Sequence, residues 1–266
     1  MSLKVAIIGG TGVYSQTMLE NEQEVAVETG YGQVKLLQGE YKDRLVYFLA
    51  RHGGGHSVPP HLVNYRANIA ALKKLAVDAV IATAAVGTLR KDMPPGSRVV
   101  LDQFIDFTKH RVPTFYEGQG NEVVHIDFTE PYCPEVRAAI LNAGNKLDPS
   151  PIDGGCYVCA EGPRFETSAE IKMMKMWGGD LVGMTNVPEV VLAREAGLCY
   201  ATIALPTNYA AGISKTPLSH EEVLEEMEKG KANLEKLLSL TVERISGDRN
   251  CSCSDAGKYW SEKHHG

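Results

Sequence analysis

DLVGMTNVPEVVLAREAGLCYATIALPTNYAAG, residues 180–212, decides how the rest of the chain is read. Leu181, Val182 and Met184 form a short apolar run that suits a strand. Val190, Val191, Leu192 and Ala193 cluster as they would in a helix, and Gly197 stops it. Tyr200 to Leu205 is a second apolar run, followed by an open glycine-containing loop. Strand, turn, helix and strand make the unit of an α/β sheet, where ligands bind beyond the carboxyl ends of strands. Polar residues stand at both strand ends: Thr185 and Asn186 after the first, Thr207 and Asn208 after the second.

The same alternation runs outward in both directions. Val5 to Ile8 reads as a strand and opens into Gly9-Gly10-Thr11-Gly12, small residues whose backbone N–H groups can approach an anion. The spacing is not G-x-G-x-x-G, which disfavours a nicotinamide-dependent oxidoreductase. Arg44 to Ala50 is another strand and ends in Arg51-His52-Gly53-Gly54-Gly55-His56. Arginine offers a rigid fork of donors there, and glycine lets a phosphate come close, so Arg51→Ala is expected to weaken phosphate use and leave folding intact. His52, His56 and His61 have neither an ordering helix nor a carboxylate or cysteine among them, which argues against a metal.

Residues 61–75 read as a helix with Leu62, Ile69, Leu72 and Leu75 on or near one face. Ala79 to Ala82 is a buried strand leading into the small residues Thr83 to Thr88, and Val99 to Leu101 is another. Residues 106–127 form a polar loop long enough to be functional or to sit at an interface. A helix over residues 134–146 and a strand over 155–160 follow. Phe165 and Glu166 come next, offering a flat face and a carboxylate, and Thr167 can cap a helix to Trp177. Ser219 with Glu222 caps the last helix, from His220 to about Ile245, with Val223, Met227, Leu234, Leu237 and Leu238 as its apolar stripe.

The 266 residues are 44% hydrophobic and 23% charged, enough for one large domain, residues 1–246, with a polar tail over 247–266. A net charge of −6 points away from nucleic acid. No run approaches the roughly 20 apolar residues that span a bilayer. The chain enters a strand at once, KVAIIGG, without a signal-peptide pattern, so a cytoplasmic enzyme or binding protein is expected. Cys133, Cys156, Cys159 and Cys199 read as buried thiols, and the strand-like setting of Cys156 and Cys159 argues against a redox or zinc role for that pair. Cys251 and Cys253 form a CSC pair in the tail, which reads as polar and mobile.

GGTG, RHGGGH, EGPRFET, VGMTNVPEVVLAREAG and TNYAAG occur here in the order that resembles the methylthioadenosine phosphorylase and trimeric purine nucleoside phosphorylase family. The resemblance covers the chain from Val5 to about Ile245. It implies a single-domain α/β fold with a mixed central sheet flanked by helices, a homotrimer or dimer of trimers, and phosphorolysis of a purine nucleoside without metal or other cofactor. It places phosphate at Thr11, Arg51, His52, Thr185 and the backbone around Ala84 and Ala85. Ala84 stands where relatives often carry a hydroxyl or amide. The resemblance puts Met184 against the sugar, Phe165 on the base and His220 at the 5′-hydroxyl. Asn208, His52 and Thr185 would be the catalytic groups.

Adenine-specific members carry aspartates at the positions of Asn208 and Ala210, so this chain resembles the 6-oxopurine branch, in which Glu166 accepts from N1–H. A methylthioinosine or methylthioadenosine phosphorylase is the alternative, and a non-catalytic nucleoside-binding module the remote one. Relatives with a CSC motif can oxidise it to a local disulfide, strained by its very short loop.

Overall fold

The computed structural model describes residues 2–10, 13, 19–118, 123–214 and 219–260; the side chains at positions 56, 220 and 259 lie outside the description. Its strands are β1 Leu3–Gly9, β2 Glu20–Thr29, β3 Gly32–Tyr41, β4 Arg44–Ala50, β5 Ala79–Thr88, β6 Val99–Val100, β7 Gln103–Phe107, β8 Ile152–Asp153, β9 Cys156–Ala160, β10 Leu181–Gly183 and β11 Tyr200–Tyr209. Its helices are α1 Tyr65–Lys74, α2 Pro134–Gly144, α3 Ser168–Met176, α4 Asn186–Glu195, α5 His220–Arg244 and the single turn α6 Cys253–Ala256.

Among the described residues the strands join one mixed sheet, with β2-β3-β4-β1-β5-β10-β9-β7 along its main path. The sheet is mixed, as the resemblance implies, and not the largely parallel one that alternating strands and helices would make. The difference comes from the β2–β3 hairpin and from β10, which runs antiparallel to β5.

β5 organises the sheet. Its first half, Ala79 to Ala82, pairs in parallel with Val5 to Ile8 of β1. Its far end, Gly87 and Thr88, pairs with Val182 and Leu181 of β10 on that side. β11 runs parallel along the other edge from Val80 to Thr88. Between its two partners on the first side, β5 therefore leaves Thr83 to Val86 facing a gap. This is a switch point of the kind that binds ligands in α/β sheets.

Several expectations change at element boundaries. The strand from Tyr200 runs on to Tyr209, so Thr207 and Asn208 lie within it, at a register shift between Pro206 and Asn208. The helix expected over residues 61–75 begins only at Tyr65, because Asn64 accepts the Ala67 N–H and caps it there. Leu62 sits in a 3₁₀ turn and is 65% exposed, not on the core face. Thr167 caps α3 as expected, in a capping box with Glu170.

Two further corrections concern contacts. Phe115, in the loop expected to be functional or to sit at an interface, is buried in its own chain, against Tyr31 and Trp260. Its loop is fixed to the end of α4, where Glu195 accepts from the Phe115 N–H and the Thr114 hydroxyl. The segment from Gly247 is docked up to Trp260, not loose. Arg249 pairs with Asp78, Cys253 is buried, and the Trp260 ring meets Phe115 edge-on at 4.9 Å.

Candidate active site

The gap beside β5 is the inner end of a cavity of about 440 Å³. Arg51, His52, Ala84, Ala85, Phe165, Glu166, Met184, Thr185, Asn208 and Ala210 all line it, so the structure brings together residues far apart in sequence. Thr11 lies outside the described residues. His220 is the first residue of α5 and its side chain is not described; Val223, three residues on and so on the same helix face, lines the cavity.

At the inner end, Arg51 follows β4 and reaches under the gap. Its Nε and Nη2 donate to the two carboxylate oxygens of Glu189 at 2.6 and 2.7 Å, and Nη1 donates to the Thr83 carbonyl at 2.8 Å. Both side chains of the pair are almost wholly buried. Burial works against the guanidinium charge, but the Glu189 carboxylate outweighs it and holds the Arg51 pKa above its usual value. Three of the five guanidinium N–H groups are thereby used, which leaves one on each terminal nitrogen.

The carbonyl and N–H of one strand residue leave by the same edge, and edges alternate. Thr83 gives its carbonyl to Arg51, so Ala85 presents its N–H on the same side, toward the gap. His52 Nδ1 lies 2.8 Å from the Val58 carbonyl, which can only accept, so that nitrogen carries the proton.

Glu189 was missed from the sequence. It anchors a buried chain of polar groups beneath the cavity. The Tyr200 hydroxyl donates to Glu189 at 2.8 Å, Thr202 donates to the Asn186 carbonyl at 3.0 Å, and the Asn186 amide donates to the Tyr132 hydroxyl at 2.5 Å. The only signal in the sequence was a carboxylate inside an apolar helical stretch, NVPEVVLA. Thr185, at the N-cap of α4, uses its N–H on the Tyr157 hydroxyl at 3.2 Å and does not cap with its side chain. A Cβ on Gly183 would strike that phenol oxygen at 2.2 Å, so this close approach requires glycine.

At the outer end, Gly162 turns the chain at a φ of +69°, pressed against Met184. The turn sets Phe165 on the wall, 40% exposed, with Glu166 beside it. Arg164, the nearest cation in sequence, is committed to Glu170 at 2.7 Å. Glu166 Oε1 is consequently buried without a hydrogen-bond partner among the described residues, and burial raises the Glu166 pKa above the ordinary carboxylate value. Asn208 is buried, with its amide nitrogen 3.3 Å from the Thr207 hydroxyl. Ala84 brings no side-chain donor to the inner end; Ser57, overlooked in the sequence, brings a hydroxyl to the same cavity.

A model of the phosphorylase superfamily matches residues 4–243. The chain belongs to the phosphorylase superfamily. Among relatives, the probable 6-oxopurine nucleoside phosphorylase of Dictyoglomus turgidum is 54% identical, over 98% of this chain and 99% of that protein. The 6-oxopurine nucleoside phosphorylase of Pyrococcus furiosus is 51% identical, over 96% of this chain and 98% of that protein. Methylthioadenosine phosphorylase from Schistosoma mansoni, solved with adenine, superposes with a TM-score of 0.90 at 35% identity, over 97% of this chain and 96% of that one. The fold and enzyme class implied by the motifs are therefore those of this superfamily: a nucleoside phosphorylase fold carrying a phosphorylase enzyme.

The expectation that Arg51 can be removed without harm to folding does not survive the geometry. Truncating it strands Glu189 as a buried, unpaired charge, a loss of about 3–5 kcal/mol. Arg51→Ala should therefore lower both stability in urea and phosphate affinity. Adding Glu189→Gln should restore much of the stability and none of the phosphate affinity. Equal stability of Arg51→Ala and the parent in urea titration would contradict this account of the pair.

Proposed function

We propose that this site catalyses the phosphate-dependent cleavage of 6-oxopurine nucleosides such as inosine and guanosine, giving free base and ribose 1-phosphate. The observation that carries the reading is Glu166 Oε1, a buried acceptor with no partner among the described residues, in one cavity with the Asn208 amide. A 6-oxopurine offers N1–H to such an acceptor, and its O6 and N7 suit an amide. The names of the relatives reported above support the same substrate class.

Phosphate is the co-substrate and binds at the inner end. The two remaining Arg51 N–H groups, His52, the Thr185 hydroxyl and the Ala85 N–H supply its donors, with Ser57 offsetting the alanine at position 84. The anion lies beneath the sugar and stabilises the positive charge that develops as the glycosidic bond breaks. Phosphate oxygen bonds to the anomeric carbon, and the bond's electron pair leaves with the purine. Asn208 stabilises that leaving base through its amide: the N–H donates to O6, and the carbonyl accepts from N7–H once solvent has protonated N7. Met184 and Phe165 pack on sugar and base, the small Ala210 leaves room beside them, and His220 meets the 5′-hydroxyl.

The same proposal makes the enzyme a homotrimer or dimer of trimers, acting in the cytoplasm in purine salvage. The exposed loop residue His125 remains available to complete a neighbour's site. Light scattering that finds a fully active monomer would refute the assembly.

The base assignment predicts a kcat/KM for inosine above that for adenosine by a factor on the order of 10³ or more, because adenine leaves Glu166 facing a lone pair. Asn208→Asp should shrink that ratio, since the side chain loses its donor to O6. Equal efficiencies on adenosine and inosine, or base release without phosphate, would overturn the proposal.

Glu166 must be ionised to accept N1–H, and its pKa lies above the ordinary carboxylate value. Inosine efficiency should therefore fall as pH drops through that raised pKa. The inosine-to-adenosine ratio should narrow with it, because the protonated carboxyl donates to adenine N1. Glu166→Gln should lose this pH dependence. A ratio independent of pH through that acid limb would contradict the role given to Glu166.

A further inference from the structure

Cys251 and Cys253 do not stand as an isolated pair. Their sulfurs converge with those of Cys133 and Cys199, all four lying within 4.8 Å of one another. All six cysteines of the chain are free thiols, and Cys133, Cys199 and Cys253 are buried. The four positions are fixed by backbone. The Cys133 N–H donates to the Tyr200 carbonyl and the Val80 N–H to the Cys199 carbonyl, both at 2.8 Å. The CSC turn is held by the Asn250 N–H on the Glu135 carboxylate at 2.7 Å. In a tetrahedral site with Zn–S near 2.3 Å, sulfurs stand about 3.8 Å apart. The cluster is close to that spacing before any ion enters.

A second observation points the same way. Arg194 Nη1 lies 3.5 Å from Cys253 Sγ, and Arg249 Nη1 lies 3.6 Å from Cys199 Sγ. Arg194 is 8% exposed, and its Nε is buried with no hydrogen-bond partner among the described residues. Arg249 also serves Asp78; among the described residues Cys253 Sγ is the hydrogen-bond acceptor on Arg194, and the Asp127 carboxylate lies near enough to feel its charge. A guanidinium buried against neutral thiols is poorly compensated. Four thiolates around a divalent ion carry a net charge of −2, and both guanidiniums touch that charge, Arg249 sharing its own with Asp78.

We propose that Cys133, Cys199, Cys251 and Cys253 form a tetrathiolate zinc site that fastens the C-terminal segment to the sheet and to the end of α4. On binding, four S–H bonds break, four Zn–S bonds form and four protons pass to solvent; no electrons are exchanged. A cavity lined by Cys133, Cys199 and Arg249 gives the ion a way in. The site bears on the active centre through α4. That helix carries Glu189 under Arg51 and, one and a half turns later, Arg194 at the sulfurs. Soft sulfur ligands in a tetrahedron select zinc over hard cations.

The test uses the full chain, purified under reductant without chelator or a metal-affinity step. Elemental analysis should find one zinc per chain. Replacement by Co²⁺ should give the thiolate charge-transfer absorption and the intense visible bands of tetrahedral cobalt. Cys253→Ser and Cys251→Ser should each weaken zinc binding by about 10-fold or more. Should either variant fail to fold by circular dichroism, the cobalt spectrum of the parent decides. Reduced parent protein that holds no zinc and gives no cobalt–thiolate bands would overturn the proposal. So would mass mapping that finds a disulfide among these four cysteines in freshly purified protein.

Discussion

A guanidinium and a carboxylate, Arg51 and Glu189, meet through two hydrogen bonds in a place closed to water. Such a pair loses hydration on both sides and holds together only when its remaining donors and acceptors find partners. Here they do: the Thr83 carbonyl takes one arginine N–H, and the Tyr200 hydroxyl donates to the carboxylate. The pair ties the end of β4, the middle of β5 and helix α4 to one point. These three elements make the inner wall of the cavity, so the ion pair that constrains the fold also sets the shape of the proposed anion site.

The sheet explains why the cavity lies there. β5 exchanges β1 for β10 partway along one edge, and the four residues between have no strand against them on that side. A backbone edge without a partner must be satisfied by something else. Arg51 satisfies one carbonyl, and the proposed phosphate would take the next N–H. Small residues, Ala84 and Ala85, leave room for it. Across the cavity, the glycine turn at Gly162 brings a carboxylate with no cation of its own toward the buried amide of Asn208. One end is rich in donors for an anion, and the other pairs an acceptor with an amide, which is the polarity a nucleoside and phosphate require.

Much of this was legible in the residues. Strands β1, β4, β5 and β11 announce themselves as apolar runs, and the small residues toward the ends of β1 and β5 and the polar ones at the ends of β4 and β11 line the cavity. The hairpin β2–β3 was not read, because along Glu20–Thr29 one residue in ten is buried and glutamates interrupt any alternation. Glu189 was not read because a carboxylate in a helix is ordinarily taken as its solvent face; its burial comes with Arg51, 138 residues away in the chain, and with the Tyr200 hydroxyl on β11. The tail was misjudged for a related reason. Its serines, lysine and acids suggest solvent, while the few residues that dock it, Cys253 and Trp260, find their partners across the whole length of the chain. Local pattern reports on local structure, and these contacts are not local.

The most direct test is a crystal structure of the protein with inorganic phosphate and hypoxanthine bound together. The account predicts phosphate beside Arg51, His52, Thr185 and the Ala85 N–H, with the Arg51–Glu189 pair intact. It predicts hypoxanthine N1 on Glu166, and O6 and N7 on the Asn208 amide. Phosphate bound away from the Arg51 end of the cavity, or a base whose N1 turns from Glu166, would contradict it.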